Sequence, residues 1–225
     1  MPDETTEKAG GSLPAHYFSA RPAGTAQRQT VPVVLAGREL EVVTAGGVFS
    51  AERLDLGTRV LLREAPPPPP AGNLLDLGCG WGPLALALGL LSPAATVWAV
   101  DVNERALELT GENARRAGLR GVRPVLPAAV PPDLPLDAIW SNPPIRIGKE
   151  ALHELLLHWL PRLRPGAQAH LVVQRNLGAD SLHAWLAGAL EGTATVERAG
   201  SAKGYRVLRV RALQPARDEG RGSAG

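Results

Sequence analysis

From Asn73 onward the chain alternates between two hydrophobic rhythms. Short apolar runs at 73–77, 96–101, 122–126, 136–141 and 169–174 read as buried strands, while 83–91, 103–117, 149–160 and 180–190 carry helical spacing. Alternation of this kind predicts parallel strands joined by right-handed crossovers. The rhythm changes at the end, where 193–198 and 205–212 are strand-like with no helix between them, so an antiparallel hairpin is expected at one edge. The predicted fold class is α/β: a Rossmann-like, seven-stranded, mostly parallel sheet with an antiparallel C-terminal edge hairpin and helices on both faces.

Upstream, the runs 31–35 and 39–44 flank Ala36-Gly37 and predict a small N-terminal β-hairpin. A glycine-bearing loop follows over 45–50, then helical spacing of Leu54, Leu56, Val60 and Leu61 within 51–63. Pro66 to Pro70 form a stiff polyproline spacer. The expected organisation is a flexible N-terminal segment over 1–30, the hairpin and helix over 31–65, a Pro-rich linker over 66–72, the main domain over 73–213 and a disordered tail over 214–225.

Composition narrows the class. A chain of 225 residues with 44% hydrophobic residues can bury one good core. Residues 77–100 contain no charge, yet Gly78, Gly80, Gly82, Pro83 and Pro93 break the stretch into loop, helix and strand, which argues for soluble core over a membrane span. Met1 to Gly11 are polar with no apolar run for a signal peptide, so a cytoplasmic protein without a membrane partner is expected. The net charge of +2, from 24 basic and 22 acidic residues, neither demands nor excludes nucleic acid. Cys79 is the one cysteine and reads as a small buried filler; His153, His158 and His183 fall on helices without metal spacing, so no metal is expected. Oligomeric state leaves no trace in the pattern.

The chemistry sits where strands end. Leu74-Leu75-Asp76-Leu77-Gly78-Cys79-Gly80-Trp81-Gly82 joins the first strand of the main domain to its helix, and Asp101-Val102 ends the next strand. Gly78, Gly80 and Gly82 let backbone approach a cofactor, and Pro83 suits the first helical turn. For a sulfonium cofactor, Asp76 is suited to the ammonium of its methionine part, directly or through water, and Asp101 to its ribose hydroxyls. The spacing Gly-x-Gly-x-Gly and the upstream acid argue against a nicotinamide dehydrogenase. Trp81, Trp98, Trp140, Trp159 and Trp185 read most simply as core or edge packing, with a place against the cofactor as the alternative for Trp81.

A later strand ends in Ser141-Asn142-Pro143-Pro144. Neither proline has an N–H, and Pro143 biases Asn142 toward an extended conformation, so the turn offers acceptors: the Asn142 side-chain oxygen and the Pro143 carbonyl. Those acceptors suit an NH2 group whose lone pair is delocalised into a ring or carbonyl. Gripping both hydrogens aims the lone pair, and a sulfonium methyl needs alignment more than a strong base. An S-adenosylmethionine-dependent N-methyltransferase is the reading, with Asn142, Pro143 and Pro144 catalytic.

On these residues the chain resembles class I methyltransferases of the small methyltransferase domain type, and is similar to the ribosomal RNA small-subunit guanine-N2 methyltransferases. The likeness also takes in His16-Tyr17-Phe18-Ser19, Gly47-Val48-Phe49-Ser50, Leu54-Asp55-Leu56-Gly57-Thr58, Ile145-Arg146-Ile147-Gly148-Lys149 and Lys203-Gly204-Tyr205. It implies methylation of the exocyclic N2 amine of a guanine in ribosomal RNA, with Phe49, Gly57 and Thr58 near the cofactor beside Asp76, Gly78, Gly80, Trp81, Gly82, Asp101, Val102 and Asn142. Ile145, Arg146 and Lys149 are the implied substrate contacts, and Arg21, Arg28 and Arg38 further candidates for RNA phosphates.

The chain departs from the family in two places. The larger ribosomal enzymes carry an additional N-terminal domain where this chain has the hairpin region. Pro127-Ala128-Ala129-Val130 stand where many relatives place an acid for the adenine, which leaves that task to backbone groups. Adenine-N6 and protein-glutamine methyltransferases with this motif usually have Tyr or Phe after the prolines, and Ile145 offers no π face. Methylation of a protein amide or a small-molecule amine, and a non-catalytic cofactor-binding RNA-interaction module, are the alternatives.

Overall fold

The computed structural model describes residues 27–48, 50 and 53–214, with only the backbone of Arg146; the readings made for 1–26, Phe49 and 215–225 fall outside the described residues. In chain order the elements are β1 (Arg28–Leu35), β2 (Arg38–Ala45), α1 (Leu56–Glu64), β3 (Ala71–Leu77), α2 (Pro83–Leu91), β4 (Ala94–Val100), α3 (Glu104–Arg116), β5 (Val122–Val125), β6 (Leu136–Ser141), α4 (Lys149–Trp159), β7 (Leu163–Gln174), α5 (Ala179–Ala189), β8 (Ala194–Ala202) and β9 (Tyr205–Ala212). β1 and β2 pair as a separate antiparallel hairpin.

The main sheet has the order β5-β4-β3-β6-β7-β9-β8. From β5 to β7 the pairings are parallel, and β9 runs antiparallel to both β7 and β8. The chain winds outward from β3 to β5 and then returns to β3's other side with β6. Strand order therefore reverses between β3 and β6, where the strand ends diverge and leave a crevice.

Each strand serves two cores because its side chains alternate faces. In β3, Leu74 joins the core with Leu61, Leu86 and Leu109, while Leu75 and Leu77 join Leu156, Trp159 and Leu186 on the other face. In α2, Leu84 to Gly89 are all buried, as in a helix enclosed on every side. Pro83 at its start and Gly82 in the left-handed region before it set its entry angle.

The N-terminal hairpin shares the first of these cores: Val33, Leu35, Val42 and Val43 pack with Trp81 and Leu109. Asn113, buried on α3, ties it down. Its Nδ2 donates to Val43 O and Trp81 O at 2.9 Å each, and its Oδ1 accepts from Val43 N at 2.7 Å. At the proline stretch, Ser92 Oγ donates to Pro69 O at 2.7 Å.

Several boundaries differ from the sequence pattern: β1 begins at Arg28, inside the segment expected to be flexible, β3 at Ala71, inside the expected linker, and β4 at Ala94. β7 starts at Leu163 and not 169, because Leu163 pairs with Leu136 and a bulge opposite Leu136–Ala138 absorbs Pro165-Gly166, which a regular ladder would reject. β8 runs past 198 to Ala202 by a similar irregularity between Arg198 and Gly200. α1 begins at Leu56, where the Asp55 side chain accepts from Thr58 N as an N-cap. Among the described residues, no helix is long and apolar enough to cross a membrane.

Candidate active site

A cavity of about 510 Å³ runs along the carboxyl ends of the strands, across the point of reversal. Along it stand Asp101 after β4, Gly78 and Gly80 after β3, Asn142 to Pro144 after β6, Gln174 at the end of β7 and Tyr205 at the start of β9. Antiparallel β9 starts where the parallel strands finish, so Tyr205 lies on this rim as the register partner of Gln174.

At the β3 end, the loop glycines divide by function. Gly78, Gly80 and Gly82 all have positive φ. A Cβ on Gly78 or Gly80 would meet no atom nearer than 3.8 Å, so these two present bare backbone to the cavity. A Cβ on Gly82 would stand 2.9 Å from Thr110 Oγ1, so Gly82 serves the packing of α2 on α3.

Asp101 is held with its carboxylate in place: Oδ2 accepts from Gly80 N and Oδ1 from Asn103 N, both at 2.9 Å. Each oxygen keeps a lone pair for a further donor. Val102 also lines the cavity. Asp76 lies behind the wall, 1% exposed, with Oδ2 accepting from Ala85 N at 2.8 Å and Oδ1 without a partner. Burial pushes its pKa up to about 8, and the nearby Asp101 charge adds to this while the Ala85 bond opposes it.

The loop at Gly46 to Val48 borders the cavity. Asn103 Nδ2 and Arg105 hold Gly47 O and Gly46 O at 3.1 Å each, and Val48 faces the cavity. Trp81, 1% exposed, is part of the core and donates its indole N–H to Ser50 O at 3.2 Å. Cys79 is buried with its thiol pKa raised well above the ordinary value by burial, in keeping with an inert filler.

At the β6 end, Asn142 Nδ2 donates to Asp55 Oδ2 at 2.8 Å and to Thr58 Oγ1 at 3.2 Å. A carboxylate only accepts, so the amide nitrogen must face Asp55, and the Asn142 oxygen is left for the cavity. Pro143 O accepts from Ile145 N at 2.8 Å, which leaves it one lone pair. Thr58 and Gly57 thus stand behind Asn142. Ile145 and Ile147 line the cavity; Lys149 is exposed at the start of α4 and is outside the lining. Arg28 is engaged by Glu112 at 2.9 Å and Glu108 at 3.6 Å on α3.

The sequence reading gave no role to Asp55, Gln174 or Tyr205, and none to Asn113. Asp55 precedes Leu56 with Thr58 three residues on, a capping pattern that marks it as structured; its reach to Asn142 is a tertiary contact.

Taken together, the sheet order and the rim cavity define a doubly wound α/β protein with its ligand crevice at the topological switch point. Residues 39–209 match the model of the methyltransferase small domain, and the chain belongs to that family. It is 31% identical over 199 residues to the uncharacterized protein YbxB of Bacillus subtilis, spanning 87% of this chain and 98% of that protein. It is 38% identical over 156 residues to the ribosomal RNA small subunit methyltransferase C of Pseudomonas aeruginosa, spanning 68% of this chain and 46% of that one. Among solved structures, the Thermus thermophilus 16S rRNA N2 G1207 methyltransferase, determined with AdoMet and guanosine, superposes with a TM-score of 0.69 at 22% identity, over 86% of this chain and 52% of that one. This chain therefore spans nearly all of YbxB but about half the length of the ribosomal RNA methyltransferases.

Proposed function

We propose that the protein is an S-adenosylmethionine-dependent N-methyltransferase acting on the exocyclic N2 amine of a guanine in ribosomal RNA. The observation that carries this reading is the single cavity shared by Asp101, the bare Gly78 and Gly80 backbone, and Asn142-Pro143-Pro144. The ribosomal relatives support the substrate class, and Ile145 after the prolines sets the turn apart from those that stack an aromatic residue there.

The residues fit the cofactor. Gly78 and Gly80 offer a cradle that a Cβ would fill, Asp101 keeps free lone pairs beside it, and the unpaired, buried Asp76 Oδ1 suits an ammonium reached through water. When bound, S-adenosylmethionine supplies an electrophilic methyl carbon. Asn142 accepts one amine hydrogen on its side-chain oxygen, and the free lone pair of Pro143 O accepts the other. That grip turns the nitrogen lone pair out of conjugation and holds it for in-line attack, with one amine proton released to water during or after transfer. Asp55 keeps the Asn142 amide from rotating, which is orientation and not proton transfer.

Incubating the protein with labelled S-adenosylmethionine and total RNA, assembled ribosomal subunits or a protein extract tests the reading. Label at guanine in ribosomal RNA is the expected result. Label confined to protein would transfer the function to an amide substrate, and no label in any fraction would favour the non-catalytic alternative.

A further inference from the structure

We propose that Tyr205 is the aromatic platform on which the target base rests while Asn142 holds its amine; this rests on the RNA methylation reading above. A base presented in a protein crevice needs a flat face to stack on, and the usual position for one, directly after the prolines, is Ile145 here. Among the described residues lining the cavity, Tyr205 is the one aromatic side chain.

Its place on the sheet is the right one. From Asp101 to Tyr205 the rim crosses β4, β3, β6, β7 and β9 in order, so Asn142 stands in the middle with the ribose-facing acid on one side and the tyrosine on the other. Neighbouring strands are about 4.8 Å apart, which puts the β9 strand roughly 10 Å beyond β6, the span of a purine plus a van der Waals contact. Gln174, the register partner of Tyr205, and Leu177 line the cavity with it.

The ring is also held. A Cβ on Gly57 would stand 2.9 Å from Tyr205 Cε1 and 2.9 Å from Asp55 Oδ2, so the Cδ1–Cε1 side of the tyrosine ring packs against Gly57 next to the carboxylate that grips Asn142. On the chain side, Arg175 N donates to Gly204 O at 2.8 Å, fixing the turn from which Tyr205 starts. Asp55 thereby braces the amine grip while its neighbour Gly57 seats the platform, and a single helix start sets the distance between them.

The test compares Tyr205→Phe, Tyr205→Trp and Tyr205→Leu, each checked by thermal melting and for S-adenosylmethionine affinity, in methylation of unmodified ribosomal RNA. Stacking predicts that Tyr205→Leu raises KM for RNA roughly 5- to 160-fold. Tyr205→Phe should stay within about twofold of the wild type, since the ring and not the hydroxyl supplies the face. Guanosine should show upfield shifts of its base protons with the wild type and Tyr205→Phe, and lose them with Tyr205→Leu. A Tyr205→Leu protein with wild-type KM, or a Tyr205→Phe protein as impaired as Tyr205→Leu, would overturn the platform while wild-type RNA labelling stands. A wild-type protein that labels no RNA would overturn the methylation reading, and this inference with it.

Discussion

The Asp55 carboxylate sits 2.8 Å from the Asn142 amide nitrogen, although 87 positions separate the two in the chain. The same oxygen accepts from Thr58 N at 3.0 Å to cap α1. One carboxylate therefore begins a helix and orients the Asn142 side chain, the group proposed above to hold the substrate amine.

Separating those two tasks is a test of the site. Asp55→Ser retains a capping oxygen but does not reach Asn142, so stability should change by less than about 1 kcal/mol, the usual worth of a cap. Methylation kcat should fall about tenfold or more, as positioning losses do, with cofactor affinity unchanged. Steady-state kinetics beside thermal melts give both numbers, and an unchanged kcat would remove Asp55 from the site.

Asn142 and Asp101 should fail differently. Asn142→Ala should abolish most of kcat and spare cofactor binding, whereas Asp101→Ala should weaken cofactor binding by about 1.5–3 kcal/mol, the scale of hydrogen bonds to a charged group. Calorimetric titration with the cofactor distinguishes them; a cofactor defect in Asn142→Ala would move that residue to the other half of the cavity.

Two buried groups give pH effects of opposite sign in the ligand-free protein. Asp76 titrates at about 8 folded against 3.8 unfolded, so the folded state holds the extra proton and stability falls as pH rises across that interval. His170, pushed by burial to about 4 from 6.5, does the reverse: the unfolded state binds the proton, and stability is lost as pH falls through 6.5 toward 4. The two oppose each other below pH 6.5, leaving the Asp76 decline visible between about 6.5 and 8. Urea melts of the wild type and Asp76→Asn across that range should diverge as pH increases, the variant lacking the decline; parallel curves would contradict the assignment.

RNA docking should involve Arg175 and Lys203. Both are exposed, flank the cavity residues Gln174 and Tyr205, and make no ion pair with a described residue. Removing each charge should lower the slope of log affinity against log salt by about one and leave cofactor affinity alone. Filter binding over a salt series measures it, and an unchanged slope would place the phosphates elsewhere.

Asn113 should behave as a structural residue. Asn113→Ala would strand Val43 N, Val43 O and Trp81 O in the core, at a cost of about 3 kcal/mol or more. Equilibrium denaturation reads this directly. A loss of well under 1 kcal/mol would mean that the hairpin is held by its apolar contacts alone.

The alternation of strand and helix, the glycine loop, Asp101 and Asn142-Pro143-Pro144 were all legible in the sequence, because each depends on local spacing or on backbone properties of Gly and Pro. The strand ends fall on one rim as a consequence of parallel winding, so the meeting of Asp101, the glycine loop and Asn142-Pro143-Pro144 around one cavity follows from the order of elements. Local pattern could not separate Gly82, which Thr110 crowds, from Gly78 and Gly80, which face open space, nor decide for Trp81 between the core, where it packs, and the cofactor. It also could not pair Asp55 with Asn142, Asn113 with Val43, or Tyr205 with Gly57. Those contacts join segments that only chain crossing brings together, and their energy lies in hydrogen bonds and packing that exist once the sheet has formed.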